Sequence, residues 1–347
     1  AVGKDAGLSL TSGELNTFIG ASAGDGTDDG NDNVAIGHQA LSANAGDDNV
    51  AIGKDALLVN VKNQNIAIGS HALDADVNGG TSVAIGHNAL SAQAPATATD
   101  MLNTAVGNSA GMSVTSGVSN TLIGARNGDA LTEGNYNVAI GDEALGTDTK
   151  GSNNIAIGQG ALLNQNFTTA TASYNTAVGH AAGNQITSGK HNTILGGLAG
   201  DAITSGDENI AIGKEALTTN QAGFKNVAIG SGALKLMTSA TDSDTFNIAI
   251  GHDAGAAMTS GTRNVLMGAE AGDAMTYGAN NTAIGHMALT ANVGGGGNTA
   301  IGYQALEFHT IATNTDTFNC GFGMRAGRDI TSGIYNTCVG KDSGTSL

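Results

Sequence analysis

Eight histidines are the side chains of this 347-residue sequence best suited to metal binding or proton transfer, and five of them share one local position. His38, His87, His180, His252 and His286 each follow a glycine that closes a short apolar run. Imidazoles arranged in one column could hold a metal ion. Lys4, Lys54, Lys214, Asp142 and Gln159 fill the same place in other copies of the run, which marks an exposed position open to any polar side chain. Packing of identical chains would gather these histidines only if their column faced the shared axis.

Asp25, Asp28, Asp29, Asp32, Asp47 and Asp48 crowd two consecutive turns and could collect oxygens around Ca²⁺. Their spacing matches neither an EF-hand nor a nonapeptide Ca²⁺ roll, so solvated acidic turns are expected, with no metal site and no cofactor. Arg126, Arg263, Arg325 and Arg328 are the only arginines. None stands beside a recurring carboxylate pair of the kind that cleaves glycosidic bonds on a β-helix wall. A catalytic site would interrupt the surrounding pattern, and this pattern is hardly interrupted, so no enzyme and no catalytic residue is expected. Thr-x-Thr occurs in long connections such as Thr97 to Thr99 and Thr315 to Thr317 and once outside them, at Thr147 to Thr149, not in every coil, which disfavours an ice-binding face.

The elements that must position any such residue are set by a repeat. The segment Asn137 to Leu145, Asn-Val-Ala-Ile-Gly-Asp-Glu-Ala-Leu, returns in some form twenty times, with its glycine at positions from Gly3 to Gly340. Counting from that glycine, the preceding residue is always apolar, Asn stands at minus four in 18 of 19 copies, and Ala stands at minus two in 14. The residue at minus three is Val, Ile or Thr in every complete copy but that of Cys320. Side chains alternate along an extended chain, so minus three and minus one share one branched face, expected to form the core, and minus two lies on a very small face. One strand per period of about seventeen residues cannot bury its own apolar side. Stacking successive coils in parallel does so, and the fold class is therefore all-β, a parallel β-solenoid of about twenty coils in one domain spanning residues 1–347. At about 4.8 Å per coil the stack would reach roughly 95 Å. The asparagines would form either an amide ladder or local turns.

The coils are of two kinds. Ten carry Leu at plus four, as in Leu41, Leu145 and Leu289, and ten carry Gly there, as in Gly24, Gly111 and Gly128. Most coils of the second kind place an apolar residue at plus seven instead, among them Val114, Leu131, Ile186 and Met258. This exchange suggests two interchangeable turn geometries. From Gly107 the spacing runs 17, 17, 17, 21 and repeats, giving four-coil units of 72 residues. Leu122, Ile194, Leu266 and Cys338 replace the usual Ala at minus two on the same beat, with Phe18 in that part near the start. Before Gly86 two coils of 16 residues break the rhythm.

The long connections would recur on one flank, where a solenoid keeps its binding surface. Candidate contact residues there are Ser91, Thr97, Thr99, Phe167, Thr169, Thr241, Asp244, Phe246, Thr313, Asp316 and Phe318. A stripe of Ala and Gly along the small face would let another backbone approach, so side-by-side packing of identical chains is expected, with the large minus-two residue as a register peg. The competing reading is a narrow coil whose own interior needs small residues.

Composition agrees with thin coils: 54 Gly, one Pro, no Trp and 3% aromatic residues. A net charge of −17 opposes nucleic acid and anionic membranes as partners. No apolar run approaches the length of a membrane span, and no signal peptide is seen. Cys320 and Cys338 stand at minus three and minus two of adjacent coils, on opposite faces, which disfavours a disulfide. Both ends open inside a coil, so the chain is expected to be a segment of something longer or to stack end to end.

Asn-Val-Ala-Ile-Gly-x-x-Ala-Leu and Asn-Thr-x-Ile-Gly-x-x-Ala-Gly resemble the head repeats of YadA-type trimeric autotransporter adhesins and similar repeats in bacteriophage tail fibres. The resemblance covers essentially the whole chain. It implies a left-handed β-roll, a homotrimer, an extracellular location on a virion tail or bacterial surface, and attachment to a cell-surface receptor or glycan. The coils here are longer than the autotransporter-head repeat, and no stalk, neck, anchor or self-cleaving chaperone domain follows. The alternative expectation is a subunit of a head-to-tail extracellular filament with a purely structural role.

Overall fold

The computed structural model describes residues 1–238 and 243–345. It divides into two compact units, Ala1–Tyr174 and Asn175–Leu347. Each is a parallel β-solenoid built from one three-residue strand per turn, nine strands from Thr17–Ile19 to Ile155–Ile157 in the first and ten from Thr176–Val178 to Thr337–Val339 in the second. That makes about nineteen turns roughly seventeen residues apart, with no helix among the described residues. The pairing within each unit is parallel and in register, as in Val34↔Val50, Ala35↔Ala51, Ile36↔Ile52 and, in the second unit, Ile210↔Val227, Ala211↔Ala228, Ile212↔Ile229.

The two faces of the strand are assigned the other way round from the expectation. Every Ala at minus two from Ala35 to Ala300 is fully buried, whereas the flanking residues at minus three and minus one are half-buried or exposed. The small face is the core, and the branched face looks outward. The cause is the width of the coil. Ala139, Ala144 at plus three and Leu145 at plus four are all fully buried. At Gly321, the minus-two position of a later coil, an added Cβ would fall 2.7 Å from the Ala326 carbonyl oxygen and 3.0 Å from Leu306 Cγ, so the bore is narrow there. Bulk therefore comes from the second wall, Leu at plus four or the apolar residue at plus seven, such as Val114, Leu131 and Ile186.

The large minus-two residues are not pegs on an outer face either. Phe18, Leu122, Ile194 and Leu266 are buried inside the coils, and each lies in a pair of consecutive coils that carry Gly at plus four. A Cβ built on Gly111 would fall 2.6 Å from Leu122 Cδ1, and one on Gly128 would fall 3.0 Å from Leu122 Cδ2. One long side chain thus fills the space that two leucines occupy elsewhere. The turn itself does not change: plus two and plus four are left-handed in both kinds of coil, with φ of 58° at Gly111 and 53° at Leu145. A single backbone geometry is filled in two ways, at a cost of about 1 kcal/mol for each Leu held in the left-handed region.

Two columns hold the turns in step. The motif glycines have φ near +135°, and a Cβ on Gly107 would fall 2.1 Å from the carbonyl oxygen of Gly124 in the next turn, so no other residue fits. The asparagines form the amide ladder. Asn120 Oδ1 accepts from the backbone N–H of Asn137 at 3.0 Å and from its Nδ2 at 3.1 Å, while Asn137 Nδ2 also donates to the carbonyl of Gly151 at 3.0 Å. Each buried amide satisfies two neighbouring turns, which is why Asn rather than a larger or ionised residue recurs there. Cys320 and Cys338 are free, the first half-buried on the outer face and the second buried inside.

Candidate contact surface on the long connections

Each long connection returns to the stack through a two-residue parallel pairing: Gly79–Gly80 with Thr99–Asp100, Gly151–Ser152 with Thr171–Ala172, Gly223–Phe224 with Ser243–Asp244, and Gly295–Gly296 with Thr315–Asp316. A buried polar side chain anchors each one. Asp76 accepts from the Gly79 N–H and from Gln93 Nε2, both at 2.7 Å. Asp148 accepts from Gln165 Nε2 at 2.6 Å and from the N–H groups of Gly151 and Phe167 at 3.0 Å. Burial pushes both carboxyl groups above the usual carboxylate range, with the amide donors opposing it in part. In the second unit Asn220 and Asn292 take the same place and bond Gly223 and Gly295 without a charge. His309, also buried, pairs with Asn319 at 3.0 Å, and burial holds its imidazole below the ordinary histidine value.

The candidate contact residues fall into three groups. Thr97, Thr169, Thr313 and Asp316 are exposed, while Ser91 and Thr99 are half-buried. Two of their hydroxyls are spent on the loop itself, Thr99 Oγ1 donating to the Thr97 carbonyl at 3.0 Å and Thr313 Oγ1 meeting Thr315 Oγ1 at 3.0 Å. Phe167 is buried and serves the Asp148 anchor. Thr241 lies outside the described residues.

Phe246 and Phe318 are drawn into clusters by residues the sequence reading did not single out. Lys225 lies 2.9 Å from Asp244 and 5.3 Å from the centre of the Phe246 ring, and Asp244 raises the lysine above its ordinary value. Phe318 stacks on Tyr335 at 5.8 Å and 17°. All four of Lys225, Phe246, Phe318 and Tyr335 stand five residues before a motif glycine, in a left-handed conformation, and that shared column was the available signal. Exposed aromatic rings beside a cation and carboxylates can stack on an apolar ring face and hydrogen-bond its polar edge.

The five motif histidines are exposed, in line with a tolerant column. Among the described residues no three His, Cys, Asp or Glu side chains come close enough to hold a metal ion. In the acidic turns Asp29 shares a hydrogen bond with Asp28, which raises its carboxyl above the usual range. Among the described residues no helix is long and apolar enough to cross a membrane. No family model matches the chain, and no curated protein sequence matches it.

Proposed function

We propose that this chain is a structural attachment protein: a segment of a left-handed, homotrimeric β-roll of the YadA-head or phage tail-fibre kind, with coils grouped in 72-residue units, carried outside the cell on a virion tail or bacterial surface. It has no catalytic role, and its partners are further copies of itself and a cell-surface receptor or glycan. The observation that carries this reading is the outward face of the strands. Val, Ile, Thr, Leu, Met and Phe stand there turn after turn, with Leu195 46% and Phe322 54% exposed. Long apolar columns facing water are costly, and burial at about 25 cal/mol per Å² favours covering them with the same columns of neighbouring copies. The long connections then remain for contact with a receptor.

The test is the mass of the purified chain by light scattering, together with electron micrographs. A three-chain mass and discrete rods support the proposal. Monomers alone sink the trimer, and continuous filaments favour the head-to-tail structural alternative.

A further inference from the structure

One place breaks the coil pattern and opens a cleft. The residue seven before the motif glycine is Gly in fourteen of nineteen copies, and Asp100, Ala172, Asp244 and Asp316 at the loop ends account for four of the exceptions. The fifth is Lys62, in the second of the two 16-residue coils. Beside it lies a cleft of about 340 Å³, lined by Val61, Lys62, Asn63, Gln64, Gly80, Thr81 and Asp100. Its floor is Gly80, where an added Cβ would fall 3.2 Å from Asp100 Oδ1 and 3.8 Å from Lys62 Cβ. The residues 72 and 144 positions after Gly80 are Ser152 and Phe224, which fill the same place, whereas Gly296, 216 positions after, keeps a glycine there but has Gly278 where this cleft has Lys62.

The polar groups of this cleft are largely unspent. Among the described residues the Lys62 ammonium makes no ion pair and the Gln64 amide no hydrogen bond. Asn63 Oδ1 accepts from the Asp47 N–H at 3.2 Å, a bond that does not use its amide N–H groups. Asp100 Oδ1 accepts from the Thr81 hydroxyl at 3.3 Å, which leaves Oδ2. A cation, two amides and a carboxylate that do not satisfy one another, around a glycine floor with one apolar edge at Val61, suit a ligand with many hydroxyls and a small C–H face. The volume sits at the lower end of small-ligand clefts, about 300 Å³ and above. A net charge of −17 disfavours an anionic ligand.

We infer that this cleft binds one neutral pyranose unit of a glycan. Asp100 accepts from two ring hydroxyls, Lys62, Asn63 and Gln64 donate to ring and hydroxyl oxygens, and Val61 lies against the C–H face. The inference deepens the attachment reading and rests on it for its biological meaning, but the binding itself stands alone.

The test uses the full chain, with the methyl glycosides of glucose, galactose and mannose as probes and galacturonate as the charged comparison, read by titration calorimetry. One of the three neutral glycosides is expected to bind with Kd near ~1 mM, an ordinary affinity for a single small unit, and galacturonate at least about ten-fold more weakly. Gly80→Phe, which copies Phe224, fills the cleft and abolishes the binding; Asp100→Ala weakens it at least about ten-fold and serves if Gly80→Phe does not fold. Failure of all three neutral glycosides to saturate the protein overturns the site, as does unchanged binding in both variants. Sugar binding without adhesion to any cell keeps the site and removes the attachment reading. Adhesion with no glycoside bound does the reverse.

Discussion

Leu122 occupies the space that a side chain at Gly111 would need, and its other methyl group occupies that of Gly128. The two glycines and the leucine come from consecutive turns, so each is acceptable only because of the others. Leu122→Ala should lower stability by about 2–5 kcal/mol, because the two glycines cannot refill the cavity. Gly128→Leu in the native background should also destabilise, by about 1–3 kcal/mol from overpacking. Combined with Leu122→Ala it should cost less than the two changes summed. Urea unfolding of the single and double variants checks the coupling, and simple additivity would contradict it.

The glycine column should be the least tolerant part of the chain. Gly124 has φ of +140°, and its Cβ would fall 2.4 Å from the carbonyl oxygen of Gly141. Gly124→Ala is expected to separate those two turns and cost about 3 kcal/mol or more, since strain and a lost register act together. Circular dichroism melts read the effect.

Asn137→Ala should remove the acceptor used by Asn154 N and Nδ2 and the donor used by the Gly151 carbonyl. Orphaned buried groups cost about 1–3 kcal/mol each, so this substitution should destabilise by at least that amount. Hydrogen exchange should quicken first at the Asn154 amide.

The loop anchors make stability depend on pH in a defined direction. Asp76 and Asp148 have carboxyl groups raised above 3.8 by burial, so the native state holds protons that the unfolded chain has released. Their contribution is fully present below the unfolded value and is lost as pH rises through the native one. Asp148→Asn, which copies Asn220, should therefore leave stability near pH 3 almost unchanged and raise it at neutral pH. His309 runs the other way: its value is lowered from 6.5, so its contribution is present above the unfolded value and lost as pH falls. Thermal melts between pH 3 and 8 on wild type, Asp148→Asn and His309→Asn read both signs.

A charge on the outer face should separate assembly from folding. Ile123 and Leu195 are exposed at minus one, 37% and 46%, on the outward face of the strands. Ile123→Lys with Leu195→Lys should keep the far-ultraviolet spectrum and shift the mass of an assembled species to that of one chain. A mass unaffected by the pair would place the interface elsewhere.

Spacing alone determined much of this protein. A glycine recurring every sixteen to twenty-one residues, one strand between glycines and an asparagine locked to each strand leave parallel stacking in register as the arrangement that satisfies every copy. The outcome at Asn120 and Asn137 matches the ladder reading. Period two in Val138-Ala139-Ile140 also stated that the strand has two unlike faces. It could not state which one turns inward, because the usual preference for burying branched residues assumes a core wide enough to hold them. The opposite wall decided it: Ala144 and Leu145 leave room for a methyl group, so Ala139 lies inside and its neighbours face outward. The partnership of Leu122 with Gly111 and Gly128 was visible as a beat of 72 but not as a contact, since complementarity of volume exists only once consecutive turns are laid on one another. The cleft at Lys62 was legible only as a lysine in a glycine place, because the pairing of Gly80 with Asp100 that lines it exists only once the turns are stacked.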